Sequence, residues 1–151
     1  MAHRFEFRLE AVLRYRRMIE NLRKKEFGLA RQATARQSGR IVALLTEEGE
    51  GRRMLVRIQT GDLDVELWKL TQGYLQGLAL RLRRAYEQLH RLQQVEDQRR
   101  GELVEATRGV RVLERLRERR LEQWRYEAGR EEQKALDEAG RRPLLRAEGS
   151  R

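Results

Sequence analysis

From Leu9 onward the apolar residues recur at three- and four-residue intervals, the period of one face of a coiled-coil helix. Val12, Tyr15, Ile19, Leu22, Glu26, Leu29 and Ala33 make a seam with one polar break. The spacing predicts a helix over about 8–58, a turn over about 59–62 at Thr60-Gly61-Asp62, and a second helix over about 62–139. Gly61 suits a left-handed helix end, and Asp62 suits the N-cap of the second helix. If the chain doubles back there, apolar residues meet in one constant register: Ile58 with Leu63, Leu55 with Leu67, Leu44 with Leu78, Ala33 with Leu89, Leu29 with Leu92. Farther out come Ile19 with Leu103, Tyr15 with Ala106, Val12 with Val110 and Leu9 with Leu113. The expectation is an all-α fold, a long antiparallel two-helix coiled-coil hairpin whose second helix is longer than the first.

Details of the pattern sharpen it. Phe5, Phe7 and Leu9 alternate with Arg4, Glu6 and Arg8, a short period-two entry. The eleven-residue step from Ala33 to Leu44, opposite the equal step from Leu78 to Leu89, reads as a matched stutter. Glu26 should meet the region of Glu96, with Arg99 or Arg100 beside it, in a polar layer that fixes register. Gly49 and Gly51 lie opposite Gly73 and Gly77, which allows either close helix approach or local fraying. Past Arg117 the register leaves no partner within the chain, yet Leu121, Trp124 and Ala128 continue the helical pattern. Gly140 and Pro143 should stop the helix, leaving 143–151 as a flexible tail on a single hairpin domain of 1–142.

Composition agrees with exposed helices more than with a compact core. Hydrophobic residues are 39 % and charged residues 38 % of the 151, with one proline and no cysteine. The formal charge is +10, and residues 1–40 hold eleven Lys/Arg against four acids. That balance favours acidic partners of any kind: nucleic acid, an anionic surface or an acidic protein groove. The absence of cysteine removes disulfides and thiolate metal sites. No secretory h-region or membrane-length apolar run appears, so a cytoplasmic location is expected.

Candidate chemistry is sparse. No phosphate-binding glycine loop and no nucleophile elbow occur, and Ser38 and Ser150 are the only serines. Glu87 and His90 have the Glu-x-x-His spacing of di-iron bundles, but one copy lacks the additional ligands such a site needs. The reading is a non-enzyme without catalytic residue, cofactor or metal. Arg14, Arg16, Arg17, Arg23, Lys24 and Lys25 form a basic stretch, yet Glu20 and Glu26 interrupt it and the seam runs through it. An architectural nucleic-acid-binding coiled coil is therefore the weaker alternative.

Both ends of the chain resemble one family. Phe5-Glu-Phe-Arg-Leu-Glu-Ala-Val-Leu-Arg-Tyr-Arg16 with Glu20 is similar to the N-terminal signature of the FliJ family of flagellar type III export proteins. Val112-Leu-Glu-Arg-Leu-Arg-Glu-Arg-Arg120, Trp124-Arg-Tyr126 and Glu132-Gln-Lys-Ala-Leu-Asp-Glu-Ala139 resemble its C-terminal stretch. The resemblance implies a two-helix coiled coil like the central stalk of rotary ATPases, held in the export ATPase ring by the end where the termini lie. It also implies contacts with the cytoplasmic part of the export gate and with export chaperones, peripheral to the inner membrane at the flagellar base. ATP hydrolysis would belong to the ring. By position, ring contacts fall on Arg8, Arg14, Arg16, Arg117, Arg120, Trp124 and Arg125. Gate or chaperone contacts fall on the turn-proximal Trp68, Tyr74 and Leu75, although seam packing is the better reading of Tyr74. The stalk protein of a virulence secretion system has the same architecture and is the alternative within the class.

Overall fold

The computed structural model describes residues 3–149, and within 143–148 the backbone alone. It contains two helices, α1 (Glu10–Thr60) and α2 (Val65–Glu148), packed against each other as an antiparallel hairpin. The fold is all-α, as the spacing predicts, and α2 is the longer helix. The chain divides into two compact units. Unit 1 takes residues 1–20 and 105–151, and unit 2 takes 21–104.

The turn is built differently from the expectation. Helix α2 begins at Val65, and its N-cap is Asp64, not Asp62. The Asp64 carboxylate accepts from the backbone N–H of Glu66 (3.1 Å) and of Leu67 (3.2 Å), satisfying two donors that a helix start leaves without internal partners. Gly61 does not adopt positive φ; no described residue does. Two further non-helical residues complete the reversal in its place.

The seam of α1 also lies one face away from the expected one. Leu9, Leu13, Arg16, Glu20, Arg23, Phe27, Ala30, Thr34, Gln37, Ile41, Leu44, Glu48, Gly51, Leu55 and Ile58 follow unbroken 3–4 spacing, and all but Arg16 are buried or half-buried. On α2 the same holds from Trp68 through Leu75, Leu78, Leu82, Glu96, Arg99 and Val110 to Arg117. Neither run, Leu9 to Ile58 or Trp68 to Arg117, has a stutter. The apparent one on α1 is a jump between two apolar stripes. Leu13 is fully buried, whereas Tyr15 is 56 % exposed, and Val12, Leu22 and Leu29 are exposed with it. Leu63, in the turn, and Leu67, on α2, are exposed, and Trp68 is half-buried. Phase decides this. Ile41, Leu44, Leu55 and Ile58 fix which face meets α2, and the 3–4 repeat carries that phase outward through charged residues without a break.

Unit 2 holds Ile41, Leu78 and Leu82 as its buried apolar core, with Gln37 and Thr71 as buried polar residues. Both are satisfied. Gln37 Nε2 donates across the seam to the Ala85 carbonyl at 3.0 Å, and the Thr71 hydroxyl donates to the Leu67 carbonyl at 2.8 Å. Of the four turn-proximal glycines, close approach explains Gly51 alone: a Cβ there would stand 2.7 Å from Leu75 Cδ2, while Gly49, Gly73 and Gly77 face open space.

Farther along the seam a polar layer joins Glu26 to Arg99 as expected, but Glu102 completes it, and Glu96 pairs with Arg100 on its own helix. Arg23 Nη1 lies 2.9 Å from Glu26 Oε2 and 3.3 Å from Glu102 Oε2; Arg99 Nη1 lies 3.1 Å from Glu102 Oε2 and 3.6 Å from Glu26 Oε2. Four alternating charges close a ring across the two helices. The Arg99 hydrogen bond, above all, holds the Glu102 carboxyl below its ordinary range, and the bond to Glu26 raises Arg23.

Unit 1 extends the pairing beyond Arg117. Its buried apolar residues are Leu13 and Val110. Residues 3–7 are extended, with Phe5 and Phe7 half-buried and Arg4, Glu6 and Arg8 exposed, which is the expected alternation. Constant helical register would set Phe5 near Arg117, whose guanidinium it does touch, but the ring also reaches Trp124, seven residues farther along α2, with centroids 6.0 Å apart. An extended residue advances about 3.3 Å and a helical one about 1.5 Å, so four extended residues cover roughly nine helical ones. The overhang of α2 therefore begins after Ala128, and Gly129 to Arg142 are exposed throughout.

Helix α2 does not stop at Gly140 or Pro143 but runs to Glu148. Proline removes one N–H, and the carbonyl it would have bonded belongs to Ala139, which is exposed and so open to solvent. Residues 150–151 of the expected tail lie outside the described residues.

Candidate partner-binding surfaces

In unit 1 the extended N-terminal segment and α2 enclose an open cleft of ≈ 600 Å³. Phe5, Phe7, Leu116 and Trp124 supply its apolar wall, and Arg8 and Arg120 stand on its rim with Glu6 and Glu127. Of the seven residues expected at this end, the structure brings three, Arg8, Arg120 and Trp124, to one cleft. Arg117 is committed internally: its Nε donates to Glu10 Oε2 at 3.0 Å and its guanidinium lies 5.7 Å from the Phe5 ring centre. Arg16 folds along the seam beside Gly109. Arg14 and Arg125 are exposed and do not line the cleft. Sequence reasoning missed Phe5, Phe7 and Leu116 as cleft residues. The alternation of Phe5 and Phe7 carried the signal, since two aromatics on one side of an extended segment must cover something.

The cleft is preorganised by ordinary means. Leu9 accepts at the helix start, from the N–H of Leu13 at 2.9 Å, and Glu10 N–H donates to the Phe7 carbonyl at 3.1 Å, which turns the extended segment into α1. On the far flank Arg17 Nη2 reaches Glu114 Oε1 at 3.3 Å. Helical side chains lean toward their own N-terminus, so in an antiparallel pair long side chains converge from residues that the register sets apart.

In unit 2 the turn-proximal candidates separate. Leu75 packs against Gly51 and Trp68 is half-buried, so both serve the seam. Tyr74 is no seam residue: it is 49 % exposed, and its hydroxyl donates to Glu47 Oε2 at 3.3 Å. Partial desolvation and the Glu47 carboxylate push its phenol above the ordinary value, while Arg81 opposes them. It borders an apolar hollow of ≈ 590 Å³ with Met54, Leu67 and Leu70. Sequence reasoning missed those three because the expected register put Leu67 inside.

Among the described residues no group of three or more metal-binding side chains converges, and no helix is long and apolar enough to cross a membrane. His90 Nε2 lies 3.3 Å from Gln94 Nε2 on its own helix.

No curated protein and no solved structure matches the chain. A family model, described as "Flagellar FliJ protein", matches residues 5–149. That span takes in the aromatic N-terminal segment, both helices and the charge ring. The chain belongs to the FliJ family, non-enzymatic components of flagellar protein export.

Proposed function

We propose that this protein is a stalk-like component of the flagellar type III export apparatus. Unit 1 binds the export ATPase ring, and the turn-proximal part of unit 2 meets the cytoplasmic domain of the export gate and export chaperones. It works on the cytoplasmic side, peripherally at the flagellar base. The observation that carries the reading is the unit 1 cleft, where an aromatic wall of Phe5 and Trp124 is rimmed by Arg8 and Arg120. Aromatic and arginine side chains are the residue types that most often anchor protein interfaces, and a mixed rim, Arg8 and Arg120 beside Glu6 and Glu127, orients a partner more than it tightens the complex. Family membership supports the flagellar over the virulence system.

Co-sedimentation with the purified export ATPase at physiological salt tests this. The wild-type chain is expected to sediment with the ring, and Arg8→Glu/Arg120→Glu to lower capture at least about tenfold, as two reversed charges at a desolvating rim should. Wild-type protein that stays in the supernatant overturns the assignment.

A further inference from the structure

The distribution of acids in unit 2 marks a second surface. Residues 27–46 and 67–86 contain no aspartate or glutamate, although the chain has 24 acids in all. The hairpin lays residues 36–46 of the first run against 76–86 of the second, with the Gln37–Ala85 hydrogen bond between them. Within that overlap the arginines have no acid, and Glu87, just past it, makes no ion pair with Arg84.

Heptad position says which side of the seam they occupy. The Tyr74–Glu47 hydrogen bond marks one side. Arg81 lies one heptad beyond Tyr74, and Arg40 one heptad before Glu47. In an antiparallel pair both steps lead the same way, so Arg40 and Arg81 stand level on that side. Arg81 is near enough to Tyr74 for its charge to be felt there. Arg36 lies one turn from Arg40 and Arg84 one turn from Arg81. All four are exposed and make no ion pair among the described residues. Like charges level across a helix pair repel, so this face weakens the hairpin it belongs to unless an anion lies on it.

We propose that the Arg36–Arg40–Arg81–Arg84 face is a docking surface for an acidic helix of a protein partner. Side chains at i,i+4 and i,i+3 leave the helix about 6 Å apart at Cβ, the same spacing at which acidic side chains one turn apart leave a helix laid alongside. Duplex DNA fits poorly: two helices side by side are roughly 20 Å wide, and the major groove is about 12 Å. Single-stranded nucleic acid would want stacking platforms, and Tyr74 is the one aromatic of those two runs on this side, already bonded to Glu47. The surface does not depend on the unit 1 cleft binding the ATPase.

The test is fluorescence anisotropy at about 0.15 M salt with the full chain and a labelled helical peptide carrying glutamates one turn apart along one face. Wild-type protein is expected to bind it, and Arg40→Glu/Arg81→Glu to weaken binding at least about tenfold. A peptide with lysine in place of glutamate should then prefer that variant over wild type. Arg111→Glu/Arg115→Glu, at exposed positions of α2 away from this face, makes the same change in net charge and should leave affinity within about twofold. Arg40→Gln/Arg81→Gln should raise the thermal midpoint of the free protein and abolish the further rise that peptide gives wild type. Absence of wild-type binding, equal weakening by the Arg111/Arg115 variant, or tighter binding of a labelled single-stranded RNA of equal charge each overturns the proposal.

Discussion

Two stretches of the unit 2 seam occupy the same heptad positions with opposite chemistry. Around Gln37 the positions are filled by Ile41, Leu78 and Leu82, buried and apolar. Around Phe27 they are filled by Arg23 and Arg99, closed into a ring with Glu26 and Glu102. The helices keep their packing through both. A heptad thus fixes where side chains meet, and their chemistry decides whether the meeting adds stability or specifies register. An apolar layer tolerates sliding by one heptad; a ring of alternating charges does not, because a shift sets like charges together or leaves charges without partners.

The largest effect that would separate the two stretches is expected at Leu78. It is 1 % exposed, and Leu78→Ala should remove about 3 kcal/mol of stability by lost transfer energy and the cavity left behind. Arg99→Ala should cost less, since its layer is half-exposed and water replaces part of each lost interaction. Urea denaturation of both variants checks the order. A greater loss at Arg99 would mean that the charge ring, not the apolar layer, holds the hairpin closed.

A second experiment converts one stretch into the other. Leucine at all four of Arg23, Glu26, Arg99 and Glu102 should raise the thermal midpoint, because well-packed apolar residues replace charges that bear a desolvation cost. The same change should loosen register. Cysteines introduced one heptad out of the native pairing, at Thr34 and Glu96 for instance, should then cross-link in the leucine variant and not in the native background. Equal cross-linking in both would show that the ring does not specify register.

What the sequence made legible follows the same division. The all-α hairpin, the turn region and nearly the whole α2 seam are readable, because on α2 the most apolar 3–4 stripe is the buried one. On α1 it is not. Val12, Tyr15, Leu22 and Leu29 are more hydrophobic than Arg16, Glu20 and Arg23, yet the latter lie on the seam. Local hydrophobicity cannot reveal a phase set many residues away by Ile41 and Leu55. The cleft was half legible: Arg8, Arg120 and Trp124 were named, but its Phe5 wall depends on an extended segment outrunning helical register. Asp64 as N-cap was missed for a smaller reason, two acids of equal capping power standing two residues apart.

Glycine substitutions probe the apolar stretch at finer scale. Gly77 faces open space within α2, so Gly77→Ala should add about 0.5–1 kcal/mol by restricting the unfolded chain and favouring helix. Gly51→Ala starts from the same intrinsic gain but sets a Cβ 2.7 Å from Leu75 Cδ2, and repacking Leu75 should cancel or reverse it. Thermal melts of the two variants should move in different directions or by clearly different amounts. Equal gains would mean that the approach at Gly51 is loose.

The smallest effect sharpens the comparison most, because it acts on the charged stretch alone. The Glu102 carboxyl is held below its ordinary value of 4.5, first by the Arg99 hydrogen bond and then by the Arg99, Gln98 and Arg23 interactions, with desolvation opposing. A depressed folded-state value means that the unfolded chain takes up the proton first as pH falls. Glu102 therefore contributes its full stabilisation above 4.5 and loses it progressively below that value. Glu102→Gln keeps the shape and removes the charge. The stability difference between wild type and Glu102→Gln should stay constant from neutral pH to 4.5 and close on further acidification, whereas Leu78→Ala should keep its deficit across the same range. If the Glu102→Gln difference persists unchanged to about pH 3, the layer acts through the shape of its hydrogen bonds, and charge is not what distinguishes the two stretches.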